Sequence, residues 1–205
     1  KPGNKGGLGA GRWHFFMDEE QDIFRAVENS ALKRLNGYSH ARFDLTTNCR
    51  NTREIIRVAS MISGVPMNDE GAVEGLEPKI VHYRDGADQV AKVSGVVDGL
   101  LADGIPAKDI IILSGHKLDK SSFAGVEKIS GHKLRDITHD SGEYMKPIDF
   151  CTIQAFKGLE RKVVIAVDLL ALDKPVGRRL HYCGLSRART MLVVMLGEGE
   201  IGPGR

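Results

Sequence analysis

The sequence predicts an α/β protein in which helices flank an open, mostly parallel sheet. Short apolar runs, KIVHY, DIIIL, VVIAV and MLVVML among them, are typical of strands that are buried on both faces. These runs alternate with segments that have helical spacing, and this alternation indicates a parallel sheet. The 205 residues are enough for one large domain or one domain with fragments, and 41% hydrophobic and 27% charged residues are ordinary for a soluble protein.

The first part of the chain predicts strands and helices in turn. RWHFFM is typical of a strand, the acidic turn DEEQ and a helix through about Leu35 follow it, and ARFDL is a second short strand. The next segment, NTREIIRVASMI, has apolar residues at the spacing of an amphipathic helix. These residues are Ile55, Ile56, Ala59 and Ile62. Gly64 and Pro66 are expected to end this helix.

The middle of the chain repeats the alternation. KIVHY is a predicted strand, GADQVAKVSGVVDGLLADG a helix and DIIIL a buried strand. The helix is expected to turn four residues inward, Val90, Val93, Val97 and Leu100. A polar, Gly/Ser-rich loop at about 114–145 follows, and we expect it to be a surface excursion. It holds SGHKL twice, which is too little for a repeat architecture, and its three histidines (116, 132, 139) match no set of metal ligands.

The last third predicts the edge of the sheet at which a ligand binds. DFCTI and KVVIAVDLL are predicted strands, a helix runs through HYCGLSRART, and MLVVML is the final strand. In open parallel sheets the ligand lies beyond the carboxyl ends of the strands. The charged turns TTNCRNT, TIQAFKGLE and LSRAR are therefore expected at this rim.

Charge is concentrated in the same third of the chain. The whole chain has a net charge of +2, but residues 157–189 hold eight Lys/Arg against three Asp/Glu, a local charge of 8 − 3 = +5. Such a stretch suits a polyanion such as nucleotide phosphate or nucleic acid, although a solvated basic face would have the same composition. The three cysteines form no CxxC pair, which fits reduced thiols in a cytoplasmic protein. No apolar run is long enough for a membrane span.

Each polar segment also has a purely structural interpretation. Gln21 follows acids that suit a helix N-terminus, and Arg50 can be a surface arginine beside a helix cap. Lys157 and Glu160 can form a surface ion pair, and the two arginines of LSRAR can be helix-face cations. These interpretations stay open for each segment considered alone.

In order and in spacing, the segments resemble the motifs of UvrD/Rep-type superfamily-1 DNA helicases. LTTNCRNTREII (45–56) is similar to motif IV, TIQAFKGLERKVVI (152–165) to motif V and HYCGLSRARTMLVV (181–194) to motif VI. FFMDEEQDIF (15–24) is a looser match to motif III, where Met17 stands in place of the usual glycine. The resemblance covers nearly the whole chain except the loop at about 114–145.

The resemblance implies a motor of two RecA-like (P-loop NTPase-type) lobes that clamp ATP between them while single-stranded DNA crosses the top. Residues 1–25 would be the tail end of the first lobe and residues 26–205 the second lobe. Arg50 and Arg187 would reach the γ-phosphate as arginine fingers, since a guanidinium neutralises phosphoryl charge with paired donors. Gln21 would sense the γ-phosphate or orient water.

The segment similar to motif V would contact both ligands. Glu160 would accept hydrogen bonds from the ribose hydroxyls, with Lys157 and Gly158 beside it at the ATP and Gly158 permitting close backbone approach. Thr152 and Gln154 would contact the DNA backbone. The implied partners are single-stranded or partly duplex DNA and the missing N-terminal motor lobe, with no membrane.

The chain also departs from a complete motor. It has no G-x-x-x-x-G-K-[ST] phosphate loop and no Asp-Glu pair after an apolar strand to hold Mg²⁺. ATP and Mg²⁺ are the implied cofactors, but the Mg²⁺ ligands are expected in the missing N-terminal lobe. We therefore expect this polypeptide alone not to hydrolyse ATP.

Two other interpretations remain. The chain can be a RecA-like module that binds nucleic acid or a partner without catalysis. It can also be an unrelated nucleotide-binding α/β enzyme, which should show a glycine fingerprint with an acid about 20 residues on; the chain has none. The helicase reading further implies 3′ to 5′ polarity and a process such as DNA repair.

Overall fold

The computed structural model describes residues 50–169 and 174–198, together with the short pieces 11–12, 14–15, 37–41 and 43. Three α-helices lie in the described residues, α1 (Arg53–Ser63), α2 (Gly86–Ala102) and α3 (Pro175–Leu185). The strands there are β1 (Lys79–Tyr83), β2 (Ile110–Ser114), β3 (Lys128–Ile129), β4 (His132–Asp136), β5 (Ile148–Thr152), β6 (Arg161–Val167) and β7 (Ala188–Gly197). The strand, acidic turn, helix and second strand predicted before residue 45 lie outside the described residues, apart from the short pieces named above.

The seven strands form one mostly parallel sheet, which confirms the predicted fold class. Their order is β1-β7-β6-β2-β5-β4-β3. The first six strands of this order run parallel to their neighbours, and β3 joins the edge antiparallel to β4. β2, β5 and β6, most of whose residues are buried, occupy the middle of the sheet, where both faces must be covered.

Helices cover the two faces of the sheet. On one face α1 and α3 pack against each other, and α2 covers the other face. The strands divide their side chains accordingly, because successive residues point to opposite faces. In β2, Ile111 and Leu113 join the core under α1 and α3, whereas Ile110 and Ile112 join the core under α2.

The predicted faces of α1 and α2 are confirmed. All four apolar residues expected to face inward from α1 are buried. The helix ends as predicted at Gly64, whose φ of 65° is the left-handed conformation that glycine adopts readily and whose N–H donates to the Ser60 carbonyl. In α2, Val93 and Val97 are fully buried, and the Asp85 carboxylate caps the first turn by accepting from the Asp88 N–H at 2.9 Å.

The segment 114–145 corrects the sequence analysis, because it is more than a surface excursion. Phe123, Ile129 and Leu134 are buried in the core under α2. β3 and β4 form a hairpin whose turn, Ser130 and Gly131, has φ angles of 51° and 78°. β4 then extends the sheet by pairing with β5. The two SGHKL copies therefore have unrelated structures, the first leaving β2 and the second building the hairpin.

The last predicted helix is shorter than expected. α3 ends at Leu185, and residues from Ala188 onward belong to β7, so the predicted helix through HYCGLSRART stops before its last residues.

The described residues also bear on the predictions for cysteines, membrane spans and metals. Cys151 and Cys183 are buried and form no disulfide, and burial raises the pKa of the Cys151 thiol. Within the described ranges, no helix has the length and apolarity to cross a bilayer. The same ranges hold no group of His, Cys, Asp or Glu side chains suited to a metal ion.

Candidate nucleotide and nucleic-acid edges

The segment between β5 and β6 runs from the carboxyl ends of the parallel strands back to their amino ends. We call these two sides of the sheet the carboxyl edge and the amino edge. It leaves β5 at Thr152, which lies level with the carboxyl ends of β2 and β6. It reaches Glu160 just before the amino end of β6. The six steps along β6 correspond to about 20 Å. The expectation that all the charged turns share the carboxyl rim was therefore wrong, since Glu160 lies at the amino edge.

Local contacts give this connecting segment a fixed shape. The Thr152 hydroxyl accepts from the Ala155 N–H at 3.2 Å, and its carbonyl accepts from the Phe156 N–H at 3.0 Å. The Phe156 ring is buried in the core under α1 and α3. Gly158 has a φ of 88°, and a Cβ there would meet no atom within 4 Å. The backbone conformation, rather than crowding within the chain, is what favours glycine at this position.

At the amino edge, Glu160 lies between two arginines. Its Oε1 is 3.1 Å from Arg189 Nη1, and its Oε2 is 3.7 Å from Arg50 Nε. Two guanidinium groups around one carboxylate leave a net charge of +1. This excess suits an anion, and the planar donors of arginine match phosphate oxygens in particular. Glu160 therefore forms ion pairs with these two arginines.

Asn51 ties the Arg50 backbone to the strand that carries Arg189. Asn51 is buried, and its Nδ2 donates to the Ser186 carbonyl at 3.0 Å and to the Ala188 carbonyl at 2.7 Å. These bonds join chain segments that are more than 130 residues apart in sequence. They hold the motif IV-like and motif VI-like segments together.

Arg187 and Arg189 have opposite environments. Arg187 is only 2% exposed, and its Nε donates to the Cys183 carbonyl at 2.8 Å. Its own carbonyl accepts from the Arg161 N–H at 3.1 Å, which fixes the start of β7 beside Glu160. Arg189 is the second residue of β7 and is exposed. Both therefore lie beyond α3, and neither is a helix-face cation as the alternative interpretation had it.

At the carboxyl edge, Thr152 and Gln154 are both partly exposed. A buried carboxylate supports this edge from beneath. Asp168 accepts from Ser114 Oγ at 2.8 Å and from Ser122 Oγ at 2.6 Å. The Ser114 carbonyl in turn accepts from the N–H of the residue after Thr152, at 3.0 Å. The chain that carries Thr152 is thus fastened to β2 and, through Asp168, to the end of β6.

The structure divides the residues proposed from the sequence into three groups. Arg50, Glu160 and the neighbouring glycine and lysine (158 and 157) lie towards the amino edge, where Arg187 is also found but buried. Thr152 and Gln154 lie at the opposite edge. Gln21 lies outside the described residues.

Three residues that support the site were not among those proposed. Asn51 resembles a helix-cap asparagine in sequence, and nothing local indicates its distant carbonyl partners. Arg189 was assigned to a helix, which hid its proximity to Glu160. Asp168 directly follows an apolar strand, a position that is a usable signal for a polar group at a sheet edge.

Part of the chain is similar in sequence to a known protein family. Residues 147–195 match the UvrD-like helicase C-terminal domain. The match spans the connecting segment, Glu160, Arg187 and Arg189, but not Arg50. No curated protein sequence is significantly similar to the chain.

A solved structure has a similar fold. It is the C-terminal domain of a possible DNA helicase from Lactobacillus plantarum WCFS1, with a TM-score of 0.56 and 20% sequence identity. The similarity covers 75% of this chain and 89% of that one. Sequence and fold agree, and the resemblance of this chain to the C-terminal domain of UvrD-like helicases is confirmed.

Proposed function

We propose that the chain is the second motor lobe of an ATP-dependent DNA helicase or translocase. The observation that carries the proposal is the cluster at the amino edge, in which Arg50, Glu160 and Arg189 converge from three chain segments. This cluster of one exposed carboxylate and two arginines holds both kinds of group that bind a nucleoside triphosphate, a hydrogen-bond acceptor and cationic donors. The carboxylate would accept from sugar hydroxyls, and the Arg50 guanidinium would donate to phosphate oxygens.

In this proposal Arg50 and Arg187 serve as the arginine fingers. Arg50 is about half exposed and can turn from Glu160 to a phosphate without disturbing the core. Arg187 must exchange the Cys183 carbonyl for a phosphate oxygen when the lobes close. Gln21 would then sense the γ-phosphate or orient the attacking water. Mg²⁺ would neutralise developing phosphate charge when bound, with its ligands in the first lobe.

The proposal assigns the DNA to the opposite edge. Thr152 and Gln154 are offered there as contacts to the backbone of single-stranded or partly duplex DNA. The segment that bears them continues to Glu160, so one stretch of chain would link the DNA track to the nucleotide over about 20 Å. We further propose that the motor moves 3′ to 5′ along the DNA and that the protein is cytoplasmic.

The test is ATP hydrolysis with single-stranded DNA by the full-length protein that carries this chain. The Arg50→Ala variant should lose most DNA-stimulated turnover, since an arginine finger contributes on the order of 10³–10⁵ in rate. Arg57→Ala is the matched control, because Arg57 forms an exposed ion pair with Asp69 at 3.8 Å on the outer side of α1. The isolated chain should show no turnover.

Three outcomes would go against the proposal. Turnover that survives in Arg50→Ala removes Arg50 from the catalytic groups. Turnover by the isolated chain contradicts the division into two lobes. A full-length protein that binds DNA without any turnover supports the non-catalytic binding module instead.

A further inference from the structure

The carboxylate of Glu160 is shared unequally between its two arginines. The contact to Arg189 is 3.1 Å, close to a charge-assisted hydrogen bond, whereas the contact to Arg50 is 3.7 Å, beyond hydrogen-bonding distance. The three side chains are similarly exposed, at 43% for Glu160, 44% for Arg50 and 58% for Arg189. Solvent screening is therefore comparable for the two pairs, and the shorter distance favours Arg189.

The backbones that carry these groups are held in one frame. Arg189 lies on β7, which pairs with β6 directly after Glu160 in the register Arg161 to Ala188. Asn51, next to Arg50, is bonded to the same start of β7. Glu160 thus cannot move away from either arginine, and only side-chain rotation decides which arginine it contacts.

Without Arg189, the carboxylate would lose its closer partner and keep Arg50 within reach. A rotation that shortens the 3.7 Å contact by less than 1 Å would convert it into a hydrogen-bonded ion pair. Arg50 would then be engaged by an internal anion instead of a phosphate. The carboxylate would at the same time be less fixed in orientation.

We propose that Arg189 is a positioning residue that restrains Glu160 and thereby keeps it from capturing Arg50. This inference rests on the proposed function, in which Arg50 donates to a phosphate and Glu160 accepts from the sugar. Arg189 then acts on the rate through Arg50 and on nucleotide affinity through Glu160, without needing to contact the nucleotide.

The test uses the full-length protein in the DNA-stimulated ATPase assay. Arg189→Ala should lower kcat and raise KM, each about two- to fivefold, the size of an exposed ion pair. Adding Glu160→Gln should restore kcat, since a neutral amide cannot capture Arg50, while KM stays raised. Arg189→Lys should keep most of the wild-type kcat, and Arg57→Ala, which breaks an exposed pair elsewhere, should leave both constants unchanged.

A second measurement does not depend on turnover. Phenylglyoxal modifies accessible arginines, and mass spectrometry follows Arg50 by itself. Its modification should slow about two- to fivefold in Arg189→Ala and recover in Arg189→Ala/Glu160→Gln. Thermal unfolding of each variant shows that the fold is kept, and Arg189→Gln replaces Arg189→Ala if the alanine variant does not fold.

The outcomes separate the two proposals. If wild-type protein has no turnover, the motor function fails, and the modification rates alone decide whether Arg189 restrains Glu160. If wild-type turnover is present but Glu160→Gln brings no recovery of kcat in the Arg189→Ala background, the capture argument is overturned. Unchanged kcat, KM and modification rate in Arg189→Ala overturn it as well.

Discussion

Removing the side chain of Asn51 should destabilise the lobe and loosen the amino edge together. The amide donates at 2.7 and 3.0 Å to two carbonyls at the start of β7, in a position that is 3% exposed. Asn51→Ala leaves these carbonyls without that donor. A buried polar group without a partner costs about 1–3 kcal/mol, so we expect the variant to lose about 2 kcal/mol of stability. For a chain of this size, that lowers Tm by about 4–8 °C.

Urea denaturation, followed by circular dichroism, measures this loss. Asn68→Ala is the control, since Asn68 is exposed and accepts a local bond from the Glu70 N–H, so its replacement should change the free energy of unfolding by less than about 0.5 kcal/mol. Asn51→Asp should destabilise at least as much as Asn51→Ala, because its carboxylate oxygens would face the two carbonyls. A free energy of unfolding for Asn51→Ala equal to that of Asn68→Ala would refute the argument, and Asn51→Asp more stable than Asn51→Ala would show that the side chain is not a donor.

Two further predictions concern carboxylates away from this cluster. The Asp149 side chain is 5% exposed and bridges Arg135 at 2.6 Å and Arg161 at 2.9 Å. Asp149→Ala should therefore cost about 3 kcal/mol of stability, because both arginines lose their buried partner. Asp69→Ala, which removes an exposed ion pair, should cost almost nothing, and equal losses for the two variants in urea denaturation would contradict the prediction. The Arg84 backbone N–H, followed by the side chain of Lys92, lowers the pKa of Asp88 from 3.8 to about 2. Since the folded pKa is the lower one, its contribution to stability is complete above the unfolded value and is lost as the pH falls from about 4 to 2. Asp88→Asn should flatten stability against pH in that window, and an unchanged slope would exclude Asp88 as a source of the acid sensitivity.

The elements that could be predicted are those in which local pattern and burial agree. The apolar faces of α1 and α2 and the strands at the middle of the sheet follow from spacing alone, because each buries its residues in a regular core. β3 and β4 were missed for the opposite reason. β3 has two residues and β4 has one fully buried side chain, Leu134, so neither shows the apolar run that identifies an interior strand.

The candidate site could be predicted in composition but not in placement. Arg50 and Glu160 were identified from their motifs, yet their meeting at the amino edge depends on which chain segments lie beside β6. The parallel course of β5 and β6 requires the segment between them to end at the amino edge, but the pairing of β6 with β7, which brings Arg189 to Glu160, is not encoded in that segment. The Asn51 contacts likewise depend on a strand more than 130 residues away, which no local pattern encodes.

The strand order has a consequence for how this lobe is made in the cell. β7 is the last described strand, yet it lies inside the sheet, between β1 and β6. β1 is completed about a hundred residues before β7 and, among the described strands, pairs with β7 alone. During synthesis on the ribosome, β1 must therefore wait for β7 to emerge before its backbone groups are paired. Contacts so distant in sequence form slowly and leave strand edges open to aggregation in the meantime. The nascent chain accordingly completes this sheet only after β7 has been synthesised, and the strand edge of β1 that pairs with β7 stays open until then.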